Sequence, residues 1–182
     1  MMTRERLACR PYTTSNLAGT FQLRSGAVAH EYFDKYRFEA DPNLLSAVAH
    51  ALYTLTPPEI DALAGLELGG IPLVTMLSQI TQLPARFIRK VAKPYGTCQL
   101  AEGGEITGYR LLLIEDVVTS GGQIIESTRA LRRLGACITH ALCVIDRELG
   151  GAERLAEVGV TLIPLFRASE LKAAVHDMTS DC

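Results

Sequence analysis

Twelve consecutive residues constrain this chain more than any others: Leu111-Leu112-Leu113-Ile114-Glu115-Asp116-Val117-Val118-Thr119-Ser120-Gly121-Gly122. Four apolar residues predict a buried strand over Arg110 to Ile114, with two adjacent acids at its C-terminal end. A turn rich in hydroxyl groups and glycine follows, and a helix is expected over Gly122 to Leu134. In open α/β sheets, ligands bind beyond the carboxyl ends of the strands. Free backbone N–H groups of Ser120, Gly121 and Gly122 at a helix start suit a phosphate. Acids would repel that phosphate, so Glu115 and Asp116 must face something else, such as the hydroxyls of a ribose. The Gly-Lys-Ser/Thr ending of a Walker loop is absent. The competing reading is a buried strand with a solvated acidic pair and an ordinary helix cap.

The surrounding sequence predicts the same architecture. Asp41-Pro42 is a helix start, with a capping acid and proline at the first helical position. Leu44, Leu45, Val48, Ala51, Leu52 and Leu55 continue it near helical period, and Pro57-Pro58 ends it. Strands are then expected over Ala62 to Leu66, Ala85 to Lys90, Cys137 to Ile145 and Thr161 to Phe166. Helices are expected over Ile71 to Thr81, Gly150 to Val158 and Ser169 to His176. This alternation predicts an α/β fold: a mainly parallel sheet flanked by helices on both faces. Before it, a short helix in the first ten residues and extended segments over Thr20 to Gly26 and Tyr32 to Tyr36 are expected.

At 182 residues the chain reads as a single domain. The formal net charge of -2 argues against a general nucleic-acid surface. No run approaches the roughly 18 apolar residues of a membrane span, and the first twenty residues lack the apolar core of a leader. A cytoplasmic protein is expected. The five cysteines contain no Cys-x-x-Cys, so neither a metal site nor a disulfide framework is indicated. Cys137 and Cys143 lie in an apolar run and read as small core residues; Cys98 lies in a glycine-containing loop and reads as exposed.

Residues 91–109 form a long polar segment containing Gly96, Gly103, Gly104 and Gly108, with Arg89, Lys90 and Lys93 at its entrance. Loops above about 12 residues are uncommon in compact domains and are often lids. A flexible, basic-rooted lid beside a phosphate site is one reading; a solvated hairpin with surface lysines is the other.

The segment around Glu115 and Asp116 closely resembles the phosphoribosyl pyrophosphate (PRPP) motif of type I phosphoribosyltransferases. Four further segments narrow the resemblance to the orotate branch. Phe21-Gln22-Leu23-Arg24-Ser25-Gly26 with Tyr32-Phe33-Asp34 resembles its amino-terminal signature. Gly69-Gly70-Ile71-Pro72 resembles its pyrophosphate loop, and Arg89-Lys90-Val91-Ala92-Lys93-Pro94-Tyr95-Gly96 its catalytic loop. Asp146-Arg147-Glu148 with Gly150-Gly151 resembles the segment after the next strand. The match runs in order from about residue 20 to 170.

The resemblance implies the type I phosphoribosyltransferase fold with a small N-terminal hood. The hood would be about residues 1–40, and the α/β core about 41–182 with the lid at 91–109. It implies transfer of the phosphoribosyl group of PRPP to orotate, giving orotidine 5′-monophosphate and pyrophosphate. Lys93, Asp116 and Glu115 would be the catalytic residues. PRPP would be held by Arg24, Gly69, Gly70, Arg89, Lys90, Lys93, Tyr95, Glu115 and Asp116, and by Val117 to Gln123 (Val117, Val118, Thr119, Ser120, Gly121, Gly122, Gln123). Thr119 and Arg147 would bind orotate. Mg²⁺ would be held mainly by PRPP rather than directly by the protein. The family works as a homodimer whose lid reaches the neighbouring active site.

Physical reasons accompany these roles. The leaving pyrophosphate is highly charged and calls for surrounding cations. A planar guanidinium matches the orotate carboxylate, although Arg147 also reads as an ion-pair partner of Asp146, Glu148 or Glu153. The chain departs from the family pattern at Tyr95, where histidine is usual, and at Ala29, where serine is common. Two rival functions remain: transfer to another base, such as a purine, or PRPP sensing without catalysis. The roughly 20 residues before the amino-terminal signature leave no room for an appended DNA-binding domain, and a fused decarboxylase is not expected.

Overall fold

The computed structural model describes residues 4–22, 26, 28–93 and 99–180. Arg24, Tyr95 and Cys98, to which the sequence assigns roles or exposure, lie outside the described residues. Among the described residues, seven helices and eight strands follow in the order α1 (Arg4–Ser15), β1 (Asn16–Gln22), β2 (Val28–Phe33), α2 (Tyr36–Ala40), α3 (Pro42–Tyr53), β3 (Ala62–Leu66), α4 (Gly70–Thr81) and β4 (Ala85–Ile88). Then come β5 (Ala101–Glu102), β6 (Arg110–Val118), α5 (Gly122–Arg133), β7 (Cys137–Asp146), α6 (Gly151–Ala156), β8 (Thr161–Arg167) and α7 (Ala168–Ser180).

The main sheet has six strands in the order β5-β4-β3-β6-β7-β8. All neighbours are parallel except β4 and β5. From β3 the chain first builds outward through β4 and β5. It then returns to β6 on the other side of β3 and builds outward through β7 and β8. The β3–β6 boundary is therefore the topological switch point, where loops diverge and leave a crevice beyond the carboxyl ends.

Strand alternation divides the core into two layers. Leu63, Leu112, Ile114, Leu142 and Val144 face a cluster with Phe38, Leu44, Val48, Leu52, Leu73 and Leu77 from α2, α3 and α4. Ala62, Ala64, Leu111, Leu113, Ala141 and Cys143 face the other way, against Ile124 and Leu131 of α5 and Leu155 of α6. Each fully buried leucine contributes about 1.5–3 kcal/mol, so both layers hold β6 firmly. At the start of α3, Asp41 Oδ1 accepts from the N–H groups of Asn43 (2.9 Å) and Leu44 (3.1 Å), as the cap pattern predicts.

Several local expectations need correction. Glu115 and Asp116 lie inside β6, not after it: the register pairs Glu115 with Cys143 and Val118 with Asp146. The two-stranded sheet of β1 and β2 sits outside the main sheet, with a register shift between Ala18 and Phe21. Tyr36 is helical rather than extended, and Lys90 lies beyond β4. Cys137 is exposed at the first position of β7, whereas Cys143 is buried. Within 91–109 the described residues include β5, which pairs antiparallel with β4, so this part is a hairpin arm of the sheet.

Candidate active site

Three segments converge at the switch point. The β3–α4 connection carries Gly69 and Gly70, the end of β6 carries Glu115 and Asp116, and the turn into α5 carries Thr119 to Gln123. Gly69 and Gly70 must be small here. A β-carbon on Gly69 would overlap the Asp116 carboxylate, and one on Gly70 would overlap the carbonyl oxygen of Ile114. The predicted pyrophosphate loop is thus packed directly on the predicted ribose acid. Gln123 ties the same loop to α5: its Nε2 donates to the Glu67 carbonyl oxygen at 2.9 Å. The backbone N–H of Lys90 donates to the Glu67 carboxylate, which adds the end of β4 to the junction.

The turn into α5 has a positive φ of 71° at Gly121, a conformation glycine adopts without strain. Val117, Val118, Thr119, Gly121, Gly122 and Gln123 line a small cavity of about 120 Å³ together with Glu115 and Lys35. Backbone donors and a helix start on one side and an acid on the other fit a sugar phosphate.

The acids form a buried cluster. Asp116 is fully buried and Glu115 is 6% exposed. Lys35 Nζ lies 3.0 Å from Asp116 Oδ1 and 2.8 Å from Oδ2. The N–H of Val117 donates to Asp116 Oδ1 at 2.6 Å, and the N–H of Asp116 donates to Glu115 Oε1 at 3.2 Å. Burial would raise the Asp116 carboxyl, but its bonds with Glu115 and Lys35 hold it below the ordinary carboxylate range. Burial, reinforced by Asp116, pushes Glu115 well above that range. Glu39 of α2 is buried beside them and leaves Oε1 without a hydrogen-bond partner. Burial and the Asp116 charge push its carboxyl up to about 9. Asp116 is thus the acid that the site favours in its charged form, while its two carboxylic neighbours are shifted the other way.

The predicted cations are arranged differently. Lys93 Nζ pairs with Glu102 Oε1 of β5 at 2.5 Å, so the lid lysine is bound to the hairpin arm. The N–H of Arg89 donates to the Leu100 carbonyl oxygen at 2.9 Å, while its guanidinium Nε is buried without a hydrogen-bond partner among the described residues. Lys90 is exposed.

Arg147 follows β7 and its backbone N–H donates to the Val118 carbonyl oxygen at 2.8 Å. Its side chain makes no ion pair among the described residues: Glu148 instead accepts from Ser169 N (2.8 Å) and Oγ (3.0 Å). Arg147 lines a second cavity of about 520 Å³ with Tyr32 and Phe33 of β2, Asn16 of β1, and Lys172 of α7. The amino-terminal signature and the Arg147 segment, far apart in sequence, therefore share one pocket. Thr119 lines the 120 Å³ cavity, not this one.

The sequence reading missed Lys35, Glu39 and Glu67. Lys35 and Glu39 stand in a charged run, Asp34-Lys35-Tyr36-Arg37-Phe38-Glu39, where nothing in the spacing separates a site residue from a solvated one.

Comparison with known proteins decides the family. The profile of the phosphoribosyl transferase domain matches residues 36–165. An orotate phosphoribosyltransferase of a Nocardioides species is 52% identical over 158 residues, covering 87% of this chain and 88% of its own. The chain belongs to the orotate phosphoribosyltransferase family. The crystal structure of orotate phosphoribosyltransferase from Aeropyrum pernix superposes with a TM-score of 0.80 at 29% identity, covering 96% of this chain and 98% of that one. That of the Mycobacterium tuberculosis orotate phosphoribosyltransferase, solved in complex with PRPP, gives 0.78 at 25% identity, covering 93% and 98%. The family fold is the type I phosphoribosyltransferase fold predicted from the sequence.

Proposed function

We infer that this enzyme transfers the phosphoribosyl group of PRPP to orotate, releasing pyrophosphate and giving orotidine 5′-monophosphate for pyrimidine synthesis. The observation that carries the assignment of the site is the charged acid Asp116 packed against Gly69, beside a phosphate-sized cavity at the switch point.

In this reading the backbone N–H groups of the turn from Thr119 to Gln123 hold the 5′-phosphate, with Val117 and Val118 forming its wall. Asp116 and Glu115 accept from the ribose hydroxyls. As the bond from ribose C1 to pyrophosphate lengthens, positive charge develops on the ring, and the Asp116 charge favours it. Gly69, Gly70, Arg89, Lys90 and Lys93 receive the pyrophosphate, with Arg24 and Tyr95 adding donors. Tyr95 donates through a hydroxyl where a histidine would offer charge near neutral pH. Arg147 holds the orotate carboxylate, and Thr119 contacts the base from the phosphate side.

Mg²⁺ would be held mainly by PRPP rather than directly by the protein. When bound, it neutralises part of the leaving charge. The chain forms one catalytic unit, with residues 1–40 as hood and 91–109 as a lid over the core. The working form is a homodimer with Lys93 delivered to the neighbour's site. Among the described residues no helix is long and apolar enough to cross a membrane. PRPP is too highly charged to cross a bilayer unaided, so the enzyme works where PRPP is made, in the cytoplasm.

The deciding measurement is pyrophosphate release with PRPP, Mg²⁺ and each base in turn. Release with orotate alone is expected. Release with adenine or guanine alone would make it a purine enzyme, and PRPP binding without release would make it a sensor.

A further inference from the structure

Lys35 has no role in the scheme above, yet it holds the most consequential contact of the site. It is the residue before α2, and its ammonium pairs with both oxygens of Asp116, 81 positions away. Asp116 is fully buried behind it, whereas the Lys35 side chain is 33% exposed. The same side chain lines the 120 Å³ cavity formed by Glu115 and the Thr119–Gln123 turn. The ammonium therefore stands between the ribose acid and the phosphate seat.

Two observations set this contact apart from a structural ion pair. Asp116 cannot accept from ribose hydroxyls while it has no accessible surface, so its cover must move when substrate enters. The phosphate seat, in turn, has backbone donors but no other lysine or arginine among the residues lining it. Its one amide side chain, Gln123, is already engaged with Glu67. A phosphate placed beside Glu115 and Asp116 needs a cation nearby, and Lys35 is the one lining cation. Burial lowers the Lys35 ammonium, but its bond to Asp116 outweighs this and raises it, so the group stays charged. Lysine suits a moving role, with a compact charge on a flexible four-carbon stem.

We propose that Lys35 is a PRPP-binding residue that works by exchange. In the empty site it neutralises Asp116; when PRPP enters, the ribose hydroxyls take over the Asp116 oxygens and the ammonium passes to the 5′-phosphate. The exchange couples the hood to substrate entry, because Lys35 leads directly into α2. The inference rests on the assignment of Glu115 to Gln123 as the ribose phosphate site.

The test uses ribose 5-phosphate and pyrophosphate as separate probes, titrated calorimetrically into the wild type and Lys35→Gln. Glutamine retains an N–H donor toward Asp116 without the charge. Loss of one charge-assisted contact should weaken ribose 5-phosphate about 10- to 100-fold and raise the KM for PRPP similarly. Pyrophosphate affinity and the KM for orotate should stay within about twofold, and Lys35→Arg should recover most of the loss. Ribose 5-phosphate binding unchanged in Lys35→Gln, or equal weakening of both probes, overturns the exchange. A crystal structure of the wild type with ribose 5-phosphate tests it independently of any variant's folding. Lys35 Nζ on a phosphate oxygen supports the proposal, and Nζ still seated on Asp116 overturns it. A wild type that binds no ribose 5-phosphate overturns the site assignment itself.

Discussion

Glu115 and Asp116 are set in the central strand and buried between two packed layers, while Lys90 and Lys93 stand beyond the end of β4, exposed or half-exposed. The acids are held within the site by the Val117 N–H and by each other, and Lys35 covers Asp116. Of these two cations, Lys93 pairs with Glu102 of β5 rather than with either acid. The difference matches the order of events in the proposed reaction. Acids that favour a developing positive charge work best when already in place, since moving them during reaction would cost reorganisation energy. Cations for a highly charged leaving group serve better when they arrive with it and help exclude water.

The sharpest way to break this comparison is to neutralise the rigid side. Asp116→Asn keeps shape and burial but removes the charge, so turnover should fall by about 10²–10³-fold. The protein should remain folded and still bind phosphate, as a phosphate titration would show. Near-normal turnover would remove the ribose role from Asp116.

The basic side is tested by mixing. Lys93→Ala should also be nearly inactive alone. If Lys93 serves the neighbour, exchanging its subunits with those of Asp116→Asn gives heterodimers with one intact site. In a random mixture half of the dimers are mixed and each holds one good site of two, so roughly a quarter of the wild-type activity should return. No recovery after confirmed subunit exchange would place Lys93 in its own subunit's site, or in none.

How far these two regions could be read from sequence follows from what fixes each. Ala62–Leu66 was legible to the residue, because a short apolar run between Asp61 and a glycine turn can only be a buried strand there. The need for glycine at 69, 70 and 121 was legible as tight turns, and the structure gives the local reason: close packing of Gly69 on Asp116 and of Gly70 on the Ile114 carbonyl, and a positive φ at Gly121. The end of β6 was not. Asp and Glu are depleted in strands, so the acids read as following the strand, whereas pairing with β7 carries the ladder through Val118. Lys35 and Glu39 were illegible for another reason. Their meaning comes from the packing of this segment onto Asp116, a contact between residues about 80 apart in sequence. The shared pocket of Tyr32, Phe33 and Arg147 lies between these cases: each segment was recognised alone, and only the fold joins them.

That pocket gives a smaller and more selective effect. Arg147 is exposed and free of ion pairs among the described residues, so its loss should not disturb the acids. Removing a charge-assisted bidentate contact costs about 1.5–3 kcal/mol, which is roughly 10- to 150-fold. Arg147→Ala should raise the KM for orotate by that factor and change the KM for PRPP far less. Equal losses for both substrates, measured in one steady-state series, would mean that the pocket holds something other than the base.

The smallest expected effect concerns the price of keeping several acids together. Glu39 is buried with Asp116 beside it, and burial first, then the Asp116 charge, lifts its carboxyl from 4.5 to about 9. The unfolded chain releases this proton near 4.5, while the folded protein holds it until about 9. Between those values the folded state binds more protons, so raising the pH favours unfolding. The stability associated with Glu39 is therefore complete at low pH, declines between about 5 and 9, and changes no further above that range. Glu39→Gln keeps the neutral shape and has no proton to lose, so its stability should decline less over the same interval. Glu115, also raised, is present in both proteins, and the difference between them isolates Glu39. Urea midpoints at pH 5.5 and 8.5 give the comparison: the variant should gain on the wild type as pH rises. Parallel behaviour would show that Glu39 ionises in the folded protein as readily as in the unfolded chain.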